Sequence, residues 1–152
     1  MTDTTRIDER AEALVLAMVD RGIFTVCSVT GAVWRHFEQR KFQRTSDDQG
    51  LVPLLQPRRA EYKASNGYLR IKVSICGIRI DVSAHRVVYR ACLGPIPSGH
   101  LIDHDNRKRD DNRPDNLIAI TPSRNLQLAY DRGSRVGFAG VRSVPDYTRK
   151  VK

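Results

Sequence analysis

Cysteine is scarce in this chain, and its three copies are not grouped. Cys27, Cys76 and Cys92 lie far apart, and no Cys-x-x-Cys pair occurs. An odd number of cysteines without metal-ligand spacing argues against a disulfide framework and against a zinc knuckle. We therefore expect no structural zinc and a reducing, cytoplasmic environment.

Long apolar runs are absent as well. The first residues lack the apolar core of a signal peptide. No run approaches the roughly 20 apolar residues that a membrane-spanning helix needs. We expect a soluble protein with no membrane partner.

Acidic residues are outnumbered by basic ones. Among 152 residues, 26 are Lys or Arg and 17 are Asp or Glu, which gives a net charge of +9. Residues 1–23 contain five acidic and three basic side chains, so the remainder of the chain carries +11. A basic body of this kind suits a polyanion, most commonly nucleic acid, although small proteins also use excess charge simply to stay soluble. The length allows one domain with a substantial core.

Residues 6–21 have the pattern of an amphipathic helix. Apolar side chains recur at three- and four-residue steps. Gly22 follows them, as a glycine often does just past a helix. The polar face is largely acidic, which disfavours contact with DNA. This face could pack on the body of the protein or dock a protein partner, and the sequence does not choose between the two.

Short strands are predicted next. Thr30-Gly31 is typical of a turn between two strands, while residues 38–50 have no periodic pattern and are expected to be loop or disorder. Residues 68–82 alternate apolar with polar side chains around a turn at Gly77, which predicts a half-buried hairpin.

The outer face of that hairpin would display Arg70, Lys72 and Arg79. These charges could lie against a DNA backbone, or they could form an ordinary solvated face.

Residues 83–94 predict a short helix. Ser83 is a suitable N-cap, and Gly94 with the proline after it ends the segment. His85 falls in the first turn of this helix. Such a histidine more often serves packing or hydrogen bonding than catalysis, and we expect the structural role for it.

Residues 103–125 bring acid, imidazole and amide groups to the junctions of a strand, a loop, a strand and a helix. An apolar run ends in Asp103-His104, a polar loop follows, and a second apolar run occupies residues 117–120. Thr121-Pro122 then has the residues of a helix start, because Thr caps well and Pro suits the first helical position.

Taken together, these motifs resemble the HNH (His-Me finger) nucleases, and within them the phage and intron-associated homing endonucleases. The similarity covers about residues 66–130. The matching motifs, in order, are His85-Arg86-Val87-Val88, Gly94-Pro95-Ile96-Pro97, Asp103-His104, Asn112-Arg113-Pro114-Asp115-Asn116-Leu117, Thr121 and Asn125.

The resemblance implies an α+β fold, and together with the helix periodicity and the charge pattern it predicts a division of the chain. The expected parts are an N-terminal helix over 1–22, a β-rich DNA-binding module over 23–82, a ββα-metal nuclease core over 83–133 and a basic C-terminal extension over 134–152. It also makes a phage-encoded protein of a bacterial host a consistent origin.

The same residues predict a one-metal phosphodiesterase site. Histidine suits the activation of water because its reference pKa of about 6.5 leaves it largely neutral near pH 7, so His104 is the candidate base. The resemblance implies that Asp103 and Asn125 bind Mg²⁺ or another divalent cation such as Mn²⁺. It also implies that Asn116 orients the imidazole.

DNA contacts are expected from basic side chains of the hairpin, the loop and the C-terminal extension: Arg70, Lys72, Arg79, Arg113, Arg135 and Arg142. The loop departs from the family pattern at two positions. Arg107 stands where a glycine is common, and Asp111 stands where an asparagine is common.

Three other interpretations compete with a nuclease. Asp103-x-Asp105 could open a calcium loop, but Lys108 replaces the glycine and Pro114 the glutamate that such a loop requires. The chain could instead be a catalytically inactive nucleic-acid-binding module. It could also be a phage packaging or assembly partner that docks through its acidic N-terminal helix. The target sequence, the number of strands cut and the oligomeric state stay open.

Overall fold

The computed structural model describes residues 4–39, 51–75 and 78–131. Helix α1 (Thr4–Asp20) opens the chain, as its periodicity predicted. It ends in two hydrogen bonds, from Gly22 N to Val19 O at 2.9 Å and from Ile23 N to Met18 O at 2.9 Å. This is the Schellman arrangement, and it requires the left-handed φ of +72° that Gly22 adopts.

Strands β1 (Phe24–Val26), β2 (Val33–Gln39) and β3 (Leu51–Arg59) form the first antiparallel sheet, in that spatial order. The predicted turn at Thr30-Gly31 is confirmed, since Gly31 N donates to Cys27 O at 2.8 Å. The predicted loop over 38–50 begins later than expected, because β2 runs through Gln39 to pair with Leu51. The rest of that loop lies outside the described residues.

Strands β4 (Glu61–Lys63), β5 (Leu69–Ile75) and β6 (Ile78–Ser83) form the second antiparallel sheet. The predicted hairpin is confirmed by the pairing of β5 with β6, in which Lys72 lies opposite Asp81. The apolar positions alternate inward, so Ile71 and Val73 are buried. The polar positions between them form the other face, as the period of two requires.

The remaining elements build a ββα unit. Helix α2 (Ala84–Cys92) leads to a hairpin of β7 (Leu101–His104) and β8 (Leu117–Ile120), with a one-turn 3₁₀ helix (Pro114–Asn116) before β8 and helix α3 (Pro122–Asp131) after it.

The predicted helix starts are confirmed in position and differ in their hydrogen bonds. Thr121 Oγ1 accepts the amide N–H of Arg124 at 3.2 Å, as an N-cap should. Ser83 occupies the N-cap position of α2 but makes no capping hydrogen bond with its side chain.

One hydrophobic core joins these elements. Its buried members come from α1, both three-stranded sheets, α2 and the β7–β8 hairpin: Val15, Met18, Phe24, Val33, Ala60, Ile71, Val73, Val82, Ala84, Val87, Val88, Ile102 and Leu117. The predicted α+β class is confirmed. The core runs without interruption across the boundary predicted between residues 82 and 83, and the division into four parts stays a prediction. The extension over 134–152 lies outside the described residues.

Helix α1 turns part of its acidic face inward. Glu12 is 2% exposed, and Arg86 of α2 donates to both of its carboxylate oxygens. Arg90 Nη1 lies 3.5 Å from Glu12 Oε2. Of the two roles that the sequence left open for α1, the structure shows packing on the body.

Removing the Glu12 carboxylate should destabilise the protein because two arginines would lose their buried counter-charge. We expect Glu12→Ala to lower the free energy of unfolding by roughly 2 to 4 kcal/mol. Glu9→Ala, on the exposed side of the same helix, should change it by no more than about 0.5 kcal/mol. Urea unfolding followed by circular dichroism measures both, and equal effects would contradict an anchoring role for Glu12.

Candidate active site

The β7–β8 hairpin carries the predicted metal ligand, Asp103, and the predicted base, His104. Asp103 pairs with Ile118 and His104 with Leu117, and β7 ends at His104. Neighbouring residues of a strand face opposite sides. Accordingly, the His104 side chain is 2% exposed, while Asp103 is only half-buried.

The His104 imidazole lies in a small buried cluster. Its Nε2 is 2.9 Å from Asn112 Oδ1, and Asn112 is itself 3% exposed. The ring centroids of His85 and Tyr68 lie 5.3 Å and 5.8 Å from that of His104. The ring is therefore held by one hydrogen bond and by tilted or edge-on contacts with two other rings.

The bond to Asn112 sets the tautomer of His104. An amide oxygen can only accept a hydrogen bond, so Nε2 must carry the proton and donate it. In the neutral imidazole, Nδ1 then keeps the lone pair. The nitrogen that can take a proton is thus the one away from Asn112.

Asp103 and Asn125 meet at one cleft. This cleft has a volume of about 220 Å³, and its lining is Tyr68, His85, Arg86, Leu101, Ile102, Asp103 and Asn125. Asp103 comes from the end of β7 and Asn125 from the first turns of α3. His104 lies one layer beneath, in contact with two rings that line the cleft.

The lining of this cleft fits a hard divalent cation. Carboxylate and amide oxygens are the donors that Mg²⁺ prefers, and Mg²⁺ usually keeps several waters. The volume exceeds the roughly 30 Å³ share of one water several times, which leaves room for that shell. Asp103 and Asn125 would be the cation's two protein donors, since the described residues contain no metal-binding group of three or more His, Cys, Asp or Glu side chains.

Asn116 has a different task from the one predicted. Its Nδ2 donates to Asp111 O at 2.7 Å, and its Oδ1 accepts the Asn106 amide at 2.9 Å. Both bonds tie the loop backbone together. The hydrogen bond to the imidazole, which the sequence assigned to Asn116, belongs to Asn112 instead, because Asn116 is engaged with the loop.

The two positions that depart from the family pattern, Arg107 and Asp111, are both compatible with the conformation of the loop. Arg107 adopts the left-handed φ of +63° that suits the glycine common in the family. Asp111 accepts Arg113 Nε at 3.0 Å and Asn106 Nδ2 at 2.7 Å. The hydrogen bond and charge of Arg113 lower the pKa of the Asp111 carboxyl.

His85 is more closely linked to the site than expected. It is 8% exposed, lines the cleft and contacts the His104 ring. Burial, and then the neighbouring His104, lower its pKa to about 3. Its Nδ1 and the amide nitrogen of Asn112 are buried without a hydrogen-bond partner among the described residues. Water or a ligand atom would be stabilised at these two points.

The predicted DNA-binding residues divide into two groups. Arg70 and Arg113 are engaged with carboxylates, Arg70 Nε with Asp81 Oδ1 at 2.8 Å and Arg113 with Asp111. Lys72 and Arg79 are exposed, and neither forms an ion pair within the described part of the chain.

Lys72 Nζ lies 4.6 Å from the centre of the Tyr62 ring. Arg135 and Arg142 lie outside the described residues.

Sequence reasoning missed Asn112 and Tyr68 as members of the site. Asn112 was quoted only as part of a motif, and nothing in its spacing from His104 indicates a hydrogen bond. Tyr68 lies on the hairpin before α2, far from the motif along the chain, and also stacks with Arg109, whose Cζ is 5.0 Å from its ring centre.

The structure thus combines a two-stranded antiparallel hairpin, a helix packed beside it, an Asp-His pair at the strand end and an amide on the helix, which is the ββα arrangement that the sequence resemblance implied. Residues 82–127 match the model of a family described as HNH endonuclease. Residues 82–127 are thus similar to an HNH endonuclease domain, and the predicted resemblance is confirmed.

The fold is also similar to a solved structure, described as DNA binding and cleavage by the HNH homing endonuclease I-HmuI. The TM-score is 0.53 at 21% sequence identity, over 76% of this chain and 56% of that one. The chain thus spans just over half the length of that protein. No curated protein matches the chain significantly. Among the described residues, no helix is long and apolar enough to cross a membrane.

The lowered pKa of His85 predicts a loss of stability in acid. Between pH 6.5 and about 3 the unfolded histidine binds a proton that the folded one does not. Stability should therefore fall as the pH falls through this window, by up to about 1.4 kcal/mol per pH unit from this group. His85→Gln should show a shallower decline in urea unfolding of the metal-free protein. Parallel curves for the two proteins would contradict this assignment.

Proposed function

We propose that this chain is a metal-dependent DNA endonuclease that hydrolyses phosphodiester bonds. One observation carries the proposal. Within a segment that matches the HNH endonuclease family, Asp103 and Asn125 come from different elements and line one cleft, and two rings of that cleft contact the His104 ring. DNA is the proposed substrate because the chain is basic and its structural neighbour is described as binding and cleaving DNA.

Phosphodiester hydrolysis needs an activated water and stabilisation of charge on the phosphate and the leaving oxygen. Mg²⁺ or Mn²⁺ held by Asp103 and Asn125 would supply the charge stabilisation. His104 supplies the base. Its Nδ1 accepts a proton from water, while the Nε2 hydrogen bond to Asn112 Oδ1 keeps the ring in the required tautomer.

Asn116 contributes indirectly. By closing the loop backbone between Asn106 and Asp111, it fixes the segment that carries Asn112. Because His104 is only 2% exposed, we propose that the water it activates is held at the cleft and not drawn freely from bulk solvent.

Contacts with the DNA backbone are proposed for Lys72 and Arg79 on the β5–β6 hairpin. Both are exposed; Lys72 lies on β5 and Arg79 on β6, and β6 runs directly into α2. Arg70 and Arg113 are assigned a structural share as well, because their guanidinium groups already bind carboxylates.

Substitutions at the cleft should lower cleavage far more than binding. We expect His104→Ala and Asp103→Asn to reduce the rate of plasmid cleavage with Mg²⁺ by at least about 100-fold. Asn125→Ala should act in the same direction. Asp105→Asn, an exposed loop carboxylate two residues from Asp103, is the matched control and should stay within about threefold.

The assay starts from supercoiled plasmid, so nicked and linear products separate single-strand from double-strand cutting. If the wild-type protein binds DNA but cleaves none with Mg²⁺ or Mn²⁺, the chain is a binding module without catalysis. If His104→Ala cleaves as fast as wild type, the assigned base is wrong.

Binding should depend on salt through the exposed basic face. Lys72→Ala and Arg79→Ala should each weaken DNA binding and reduce the slope of log K against log salt by about 1. Arg10→Ala removes the same charge from the exposed side of α1 and should leave the slope unchanged. Fluorescence anisotropy over a salt series measures this, and equal slopes for all three variants would place the DNA elsewhere.

A further inference from the structure

The β1–β2 turn, residues 27–32, touches the loop that holds the proposed base. Gly31 has a φ of +65°, and its Cα faces the backbone of Asn112. A Cβ built on Gly31 would lie well inside 3.0 Å of the carbonyl carbon and oxygen of Asn112, and 2.9 Å from Arg113 N. Only a residue without a side chain fits this contact.

We propose that the β1–β2 turn positions the His104 imidazole by fixing the backbone of Asn112. The inference rests on the proposed role of His104 as the base. Asn112 joins the two sites directly, because its backbone meets Gly31 and its Oδ1 accepts the Nε2–H of His104 at 2.9 Å.

The turn is held in place by hydrogen bonds within it and to the second sheet. Gly31 N donates to Cys27 O and Cys27 N to Ala32 O, each at 2.8 Å. The following residue, Val33, is fully buried, and its amide donates to Glu61 Oε1 at 2.8 Å. The Glu61 side chain is 1% exposed, so the turn is tied to the core of the second sheet.

The Gly31 contact lies at Asn112, which is buried although most of its loop is exposed. Residues 105–110 are all exposed, whereas Asn112 is 3% exposed. Two further links join the β4–β5 segment to this loop through exposed side chains. Lys63 Nζ lies 2.7 Å from Asp110 Oδ2, with the two side chains 61% and 46% exposed, and the exposed Arg109 donates from Nη1 to Asn66 O at 2.8 Å. Exposed ion pairs of this kind contribute little to the stability of a structure. The close contact with Gly31 therefore constrains Asn112 more than the ion pair does.

Displacing Asn112 should disturb catalysis without removing any group from the cleft. A misplacement of about 1 Å can cost on the order of 100-fold in rate. We expect Gly31→Ala to lower the cleavage rate at saturating DNA at least about tenfold, with the Kd for DNA within about twofold of wild type.

Gly22→Ala is the matched control. Gly22 also has a left-handed φ, of +72°, but a Cβ there meets nothing within 4 Å. Both alanines carry the same backbone strain, and only Gly31→Ala presses on Asn112. Cleavage within about twofold of wild type is expected for Gly22→Ala, measured where circular dichroism shows each protein folded. Equal rates for the two variants would overturn the proposal.

Two measurements separate positioning from general weakening. In an Asn112→Ala background the hydrogen bond is already lost, so adding Gly31→Ala should lower cleavage no more than about twofold further. A full additive loss would overturn the proposal. The ¹⁵N resonances of the His104 ring in metal-free protein should show the Nε2–H tautomer in wild type and Gly22→Ala, and a changed pattern in Gly31→Ala.

The resonance measurement needs no catalysis, so it tests the contact even if wild-type protein fails to cut DNA.

If Gly31→Ala does not fold, Thr30→Ala replaces it, because it removes the Oγ1 that accepts the Ala32 amide at 3.3 Å and adds no atom. Hydrogen exchange should then rise together at Gly31 and at the loop amides of Asp111 and Asn116. A rise confined to the turn would overturn the proposal.

Discussion

The hydrogen bond from His104 to Asn112 is the constraint on which the site depends. It fixes which imidazole nitrogen carries the proton, and it requires Asn112 to stay buried in a loop whose neighbouring residues are exposed. Two contacts make that burial stable. Asn116 ties the loop to itself from within, and Gly31 meets the Asn112 backbone from outside. A loop held only by exposed ion pairs would not keep an imidazole in one orientation.

The β-rich segment and the ββα unit share one core and also contribute side chains to one site. Tyr68 precedes α2 in sequence, yet its ring contacts both His85 and His104. Glu12 reaches from α1 to two arginines of α2, and one of these, Arg86, lines the cleft. The β-rich segment thus supplies a side chain that lines the cleft, and helix α1 binds an arginine that lines it.

Much of the secondary structure was predictable because it depends on local rules. Alternation of apolar and polar residues gave the β5–β6 hairpin, and the Thr121-Pro122 pair gave the start of α3. The order of motifs gave the HNH relationship, which the match over 82–127 confirms. The convergence of Asp103 with Asn125 followed from the strand, loop, strand, helix order, since a hairpin and its following helix must pack together.

The sequence by itself indicated the similarity of residues 82–127 to HNH endonucleases, the elements that carry the site, and the candidate metal ligands and base. Only the tertiary structure decided which asparagine holds the imidazole, because Asn112 and Asn116 are chemically identical and both lie in the same loop. It also decided that His85 lines the cleft uncharged, since its lowered pKa comes from burial by residues distant in sequence. The proposed role of Gly31 also depends on the tertiary structure. Its turn is predictable from two residues, but the backbone it touches lies some eighty positions away and meets it only when the chain has folded.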